Sequence, residues 1–390
     1  MPKGYIIKDL AEFYRVTTFE LPKDVPLDAQ TKCPACAASL EPMCTLVGYG
    51  GRQQMRIGGC ATCGYIGYID RPTKEWIVNF YSTTWDVHTA LSVEQVKSLT
   101  PLEQEKKSSR ISAAHLAKEL PLDRSRNVLE VGCGYGNVLR YFRDRAGFTN
   151  VLGIENSSHR AQAVEQAFQI PVLAGNFENE KIQEQLKSKA PFGLIFSHHV
   201  FEHVYHPEEF MAAAASLQRE GDYLVLAMPD VQGEHAAYVT LYLPHLHAFS
   251  NEGLDRLLNR FGYEIIKHES PAPENMIVVA QKKENPKRYF PVQENHRERI
   301  LKKLQQGLGV EQEIKQPSTL TWLVSGIDDM HIQEDGKLPW LVRKGWQWFS
   351  AKALKRFTAH HAMLVTPITA SVSTTPFEIQ FPKGIMVLMK

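Results

Sequence analysis

The segment Val128-Leu129-Glu130-Val131-Gly132-Cys133-Gly134-Tyr135-Gly136-Asn137 constrains the fold more than any other. A run of strand type stops at glycines placed at every second position, and a helix-forming stretch follows at once. Glycine has no Cβ, so such a turn admits left-handed backbone and lets the main chain approach a ligand closely. Strand, glycine turn and helix in that order open a parallel α/β sheet. The alternation continues with NVLGIE and a helix through Phe168, then PVLAG, FGLIFS and DYLVLAMP, and ends with YEIIKHE and NMIVVAQ. This pattern predicts a doubly wound sheet closed by an antiparallel pair. A dinucleotide site would carry G-x-G-x-x-G with pyrophosphate on the helix N-terminus; here the third glycine arrives one residue early.

Upstream, Cys33-Pro-Ala-Cys36 and Cys60-Ala-Thr-Cys63 form two Cys-x-x-Cys pairs with 23 residues between them. Each pair can wrap one edge of a tetrahedral ion, and the segment around Gly48, Gly50 and Gly51 can form a hairpin that brings the pairs together. The spacing predicts a zinc ribbon. A redox Cys-x-x-Cys needs no second copy. Cys44 and Cys133 stand apart and read as structural.

E-x-G-x-G-x-G, here Glu130, Gly132, Gly134 and Gly136, resembles motif I of the class I S-adenosylmethionine-dependent methyltransferases. The resemblance implies that the turn wraps the methionine and ribose part of the cofactor, with Glu130 helping to hold the methionine end. It also implies an acidic residue ending the second strand to accept the ribose hydroxyls, and Glu155 stands there, 23 positions after Gly132. Ala174-Gly175-Asn176-Phe177-Glu178 resembles the third-strand loop, where a polar side chain and the next backbone group meet adenine; many relatives have Asp where this chain has Asn176. Ser197-His198-His199-Val200-Phe201-Glu202-His203-Val204 is close to the H-V-L-E-H-V segment of methyltransferases in saccharide and natural-product pathways. His198 falls on the cofactor side of that segment. Pro244-His245-Leu246-His247-Ala248-Phe249-Ser250 resembles the H-L-x-x-F-S segment of the same group.

Seven of the 15 histidines lie between 198 and 247. Methyl transfer from a sulfonium is an in-line displacement on an electrophile already activated, so the protein aligns the reactants and removes a proton. Histidine titrates near neutrality and is the commonest base for that task. Relatives among sugar C-methyltransferases carry an acid–base Glu-His pair, which maps to Glu202 and His203; His203 is the first choice for the base, followed by His199 and His245. The order of cysteine pairs, aromatic connector and methyltransferase core also resembles zinc-bearing sugar methyltransferases. By that resemblance Tyr81, Trp85 and His88 of the connector cover the substrate, although packing onto the sheet would account for them equally.

The expected organisation is residues 1–73 with the zinc ribbon, a helical connector or lid at 74–121, an S-adenosylmethionine-dependent methyltransferase domain at 122–283, and a C-terminal α+β accessory domain at 284–390. The last segment follows a charged KKENPKR linker and carries a helix near 293–306, the run TWLVSG, an aromatic helix around Trp340–Phe357 and a strand-like end, FEIQFPKGIMVLMK. Its Trp322, Trp340, Trp346, Trp348 and Phe349 read as core rather than a carbohydrate-stacking surface. It does not resemble the second domain of sugar C-methyltransferases, which favours a hydroxyl over a carbon as the methyl acceptor.

Lys+Arg 44 against Asp+Glu 43 leaves a net charge of +1, so no global field steers the chain to nucleic acid or anionic membranes. Hydrophobic residues at 43% suit a soluble globular protein. No run approaches the ~18 apolar residues of a membrane span. Lys3, Lys8, Asp9 and Glu12 interrupt the N-terminus, so no signal peptide is read there and a cytoplasmic location with reduced thiols is expected. The leading expectation is methylation of a polar, sugar-containing or related small molecule, with no nucleic-acid partner. The alternatives are a ribbon-docked modifier of RNA or protein and a non-catalytic cofactor-binding scaffold. Against the former, Ser-His-His replaces the Asn/Asp-Pro-Pro-Tyr segment used on base amino groups.

Overall fold

The computed structural model describes residues 25–47, 54–81, 90–105, 109–232, 245–272 and 275–291, together with strands at Val16–Glu20, Thr321–Gly326, Met363–Ser371, Phe377–Gln380 and Ile385–Met389. The expected helices near 293–306 and Trp340–Phe357 lie outside the described residues, as do Trp85 and His88. In chain order the first strands are β1 (Val16–Glu20), β2 (Leu27–Ala29), β3 (Glu41–Val47), β4 (Gln54–Gly59), β5 (Ile66–Tyr68) and β6 (Asp70–Pro72). Helices α1 (Lys74–Asn79), α2 (Val93–Lys97) and α3 (Ser109–Lys118) follow. The alternating region comprises β7 (Asn127–Val131), α4 (Asn137–Asp144), β8 (Asn150–Glu155), α5 (Ser158–Phe168), β9 (Val172–Ala174), α6 (Glu180–Lys187), β10 (Phe192–His198), α7 (Pro207–Ser216) and β11 (Tyr223–Pro229). Then come β12 (His247–Ala248), α8 (Asn251–Arg260), β13 (Tyr263–Ala272) and β14 (Asn275–Lys282).

The central seven-stranded sheet has the order β13-β14-β11-β10-β7-β8-β9. Strands β7 to β11 run parallel, and β14 is antiparallel to both β11 and β13. The expected closing pair is therefore present, with the last strand inserted between β11 and β13. Both faces of the sheet are buried, as continuous apolar strands require. Leu129, Val131, Ile195, Leu224 and Leu226 face one core layer. Val128, Leu194, Phe196, Val225 and Ile277 face the other.

Helix α3, which the sequence places in the connector, lies against β10, β11 and β14 and buries Ile111, Ala113, Ala114 and Ala117. It therefore packs as part of the α/β layer. Ser92 caps α2 with a reciprocal Ser–Gln capping box, so this part of the connector breaks into short helices.

A second seven-stranded sheet runs β12-β5-β4-β3-β17-β16-β15, where β15 is Thr321–Gly326, β16 Met363–Ser371 and β17 Phe377–Gln380. The hairpin expected between the cysteine pairs is β3–β4. Strand β17 adds parallel to β3, and β18 (Ile385–Met389) pairs antiparallel with β1. The described C-terminal strands thus complete a sheet begun by the N-terminal segment.

Candidate active site

The glycine turn lies between β7 and α4 at the carboxyl end of the parallel strands, where the strand order reverses and α/β sheets bind ligands. Gly132, Gly134 and Gly136 all have positive φ, at 71°, 54° and 75°. A Cβ on Gly132 would lie 2.2 Å from Val200, and one on Gly136 would lie 2.8 Å from Val164. A Cβ on Gly134 would meet nothing within 4 Å. That open space above the turn is where a bound group can approach the backbone.

Glu155 ends β8, and its carboxylate accepts from Gly134 N at 2.8 Å and from Ser157 N at 3.1 Å. The acidic residue expected there is thus tied to the glycine turn. Glu130 is 3% exposed, and its Oε2 has no hydrogen-bond partner. Burial pushes its carboxyl well above the usual range, an effect that the Arg110 charge only partly opposes. An orphaned carboxyl at the foot of the turn and open space at Gly134 fit a cofactor that carries an ammonium group and hydroxyls.

Asn176 is half-buried beyond β9, while the Phe177 side chain packs in the core against Phe210 with ring centroids 4.8 Å apart. Only the backbone of Phe177 is left for a ligand. At the end of β10, His198 Nε2 lies 3.0 Å from Ser109 Oγ on α3. Burial pushes His198 well down, helped by the charges of His199 and Arg110, so it is neutral.

The contact between Gly132 and Val200 sets the next segment, 199–204, beside the turn. His199 has a left-handed backbone, φ 52°, and its Nε2 lies 2.7 Å from Asn275 Oδ1 on β14. Its Nδ1 faces Glu202 Oε1 at 3.3 Å, and His203 Nε2 faces the same oxygen at 3.8 Å. Glu202 is 1% exposed, and neither oxygen has an aligned hydrogen bond. Burial alone would push its carboxyl up, but the charges of His203 and His199 outweigh this and hold it at about 2. The same carboxylate raises His199 despite its burial. His203 Nδ1 is 2.8 Å from the Tyr81 hydroxyl, and its ring meets that of His245 edge-on, centroids 4.6 Å apart. The structure thus brings together Tyr81, His199, Glu202, His203 and His245.

His247, one of the seven clustered histidines, has another task. It is 2% exposed, with Nδ1 on the Tyr65 hydroxyl at 2.5 Å and Nε2 on the Val204 carbonyl at 2.8 Å. The Val204 carbonyl accepts, so Nε2 is the protonated nitrogen and the Tyr65 hydroxyl donates to Nδ1. Burial, with the Arg71 charge, lowers its pKa to about 3 and keeps it neutral. His247 fastens the ribbon sheet to the residue after His203. Arg71 does the same one step on, donating to the Tyr205 carbonyl at 2.8 Å and stacking over the Tyr205 ring. Neither role is visible in the local sequence.

The four ribbon cysteines converge. Cys33 and Cys63 sulfurs lie 3.6 Å apart, Cys36 and Cys60 3.4 Å, and Cys36 and Cys63 3.7 Å. Zinc with Zn–S near 2.3 Å needs tetrahedral sulfurs about 3.8 Å apart, so the donor set and its spacing fit that ion. Both knuckles rest on α8: Arg260 donates to the carbonyls of Pro34 and Ala35, and Ser250 Oγ donates to the Cys63 carbonyl.

Residues 104–268 match the model of a family described as a methyltransferase domain. Comparison with curated proteins gave no match. Among solved structures, an S-adenosylmethionine-dependent methyltransferase of Mesorhizobium loti is similar at 16% identity, covering 46% of this chain and 99% of that one, with a TM-score of 0.37. One from Aquifex aeolicus is similar at 16% identity, covering 49% and 99%, TM-score 0.37. The CcbJ methyltransferase of Streptomyces caelestis is similar at 14% identity, covering 49% and 96%, TM-score 0.37. With its strand order, glycine turn and acidic strand end, the region carrying this family match is a class I S-adenosylmethionine-dependent methyltransferase domain. The protein is a methyltransferase.

Proposed function

We propose that the acceptor is a hydroxyl, less readily a carbon, of a sugar-containing or other polar small molecule, and that His203 takes its proton. The observation that carries this reading is the buried Glu202 carboxylate facing His199 and His203 beside the glycine turn. S-adenosylmethionine supplies an electrophilic methyl group on a sulfonium; Glu130, Gly132, Gly134, Gly136, Glu155, Asn176, the Phe177 backbone and His198 are the residues that would hold it. In the tautomer that donates from Nδ1 to the Tyr81 hydroxyl, the His203 lone pair is on Nε2, on the Glu202 side. A proton arriving at Nε2 is stabilised by that carboxylate. His199 and His245 flank the same group and are the next candidates for the base. Tyr81 meets His203 by its hydroxyl, which supports a place for the connector beside the acceptor.

We further propose that Cys33, Cys36, Cys60 and Cys63 bind one structural zinc, since four thiolates leave no open coordination position. The site test is label transfer from S-adenosylmethionine into a small-molecule extract, with parallel RNA and protein fractions as controls. The small-molecule fraction should gain one methyl group, and His203→Ala should cut that transfer about 10²–10⁴-fold while S-adenosylhomocysteine affinity stays near the wild-type value. Near-normal transfer by His203→Ala would pass the role to His199 or His245.

A further inference from the structure

We propose that Glu202, His203 and His245 form a second metal site, distinct from the four cysteines, which takes a borderline transition-metal dication such as zinc, cobalt or nickel. One ligand atom from each of the three lies within 4.8 Å of the others. Metal–ligand distances near 2.0–2.2 Å place tetrahedral N and O donors about 3.4 Å apart, so small side-chain rotations close the set. Independently, Glu202 is 1% exposed with both oxygens lacking an aligned hydrogen bond. A buried carboxylate left so is a strong attractor for a cation. The supporting contacts are those of a ligating site. The Tyr81 hydroxyl meets His203 at Nδ1, Nε2 stands on the Glu202 side, and His199, itself held by Asn275, flanks the carboxylate. Two imidazoles with one carboxylate suit zinc, cobalt or nickel; magnesium and calcium prefer oxygen.

Occupancy has a consequence that rests on the assignment of His203 as base. The ion and the acceptor's proton compete for one lone pair on Nε2, so the loaded site is silent in methyl transfer. Binding itself does not depend on that assignment.

The test titrates Co²⁺ into the zinc-loaded full-length protein and follows the visible spectrum. One equivalent should give weak d–d bands without thiolate-to-cobalt charge transfer, which separates it from exchange into the ribbon. Glu202→Gln and His245→Ala should each weaken that equivalent by at least about tenfold, with S-adenosylhomocysteine affinity serving as the fold control. His245 is partly exposed, so its variant tests the site even if Glu202→Gln fails to fold. Absence of the thiolate-free bands, or their persistence in a folded His245→Ala protein, overturns the site. In the transfer assay, zinc beyond one equivalent should inhibit at least about tenfold and magnesium should not. A rise in transfer with added zinc would overturn His203 as the base while the cobalt spectrum still reports the site.

Discussion

Glu155 holds the glycine turn through Gly134 N, and in the proposed reading it also accepts from the cofactor's hydroxyls. Glu155→Ala removes a charged acceptor worth about 1.5–3 kcal/mol, so calorimetry should show S-adenosylhomocysteine binding roughly 10- to 150-fold weaker. The glycines separate strain from ligand contact. At Gly134 a methyl group meets no protein atom, and the left-handed backbone alone costs about 1–2 kcal/mol. At Gly132 the same methyl group collides with Val200. Thermal unfolding should therefore rank Gly132→Ala below Gly134→Ala in stability, whereas Gly134→Val should lose cofactor binding while remaining folded. The chemistry of these positions was legible because it is local: positive φ selects glycine, and a strand end presents an acid. The duty of His247 was not legible, because its partner Tyr65 is 182 residues away.

Helix α8 links the ribbon to the site. Its N-cap, Ser250, accepts from Gly253 N at 3.0 Å and donates to the Cys63 carbonyl, while Arg260 in its last turn holds the first knuckle. Ser250→Ala removes a cap and a knuckle contact, so stability should fall by about 1–2 kcal/mol in denaturant unfolding, with S-adenosylhomocysteine affinity unchanged. Losing Cys63, a proposed zinc ligand, should act more broadly. Strand β5, which follows that knuckle, pairs with β12 and carries Tyr65 upstream, so the 203–205 and 245–250 segments lose their ribbon-side support. Cys63→Ser should abolish the bound zinc in elemental analysis and depress methyl transfer more than cofactor binding. Unchanged transfer in a zinc-free protein would show that the ribbon does not support these segments. The ribbon's existence was readable from the cysteine spacing; its seat on α8 depended on a serine and an arginine with ordinary local explanations.

In the whole molecule, two sheets divide the work. The central sheet is built from strands within residues 127–282, its order reversing at β7 and its last strand inserted between β11 and β13. The ribbon sheet joins strands from the beginning, middle and end of the chain, because β17 adds to β3 and β12 adds to β5. Deleting residues 284–390 would bare the β3 edge, which should promote self-association on size-exclusion chromatography. The truncated chain should still bind S-adenosylhomocysteine, since the proposed holders all lie on the central sheet's strands and the turns that follow them. The sequence by itself determined the alternating sheet, the glycine turn, the acidic strand ends and the paired cysteines, each of which follows from short-range pattern and backbone stereochemistry. Only the tertiary structure decided that Tyr81 meets His203 across 122 residues, that Glu202 is buried facing His199 and His203, and that the chain's two ends share a sheet. Those contacts arise from packing and strand addition between distant segments, and hydrogen bonding along a strand edge leaves no mark on side-chain identity.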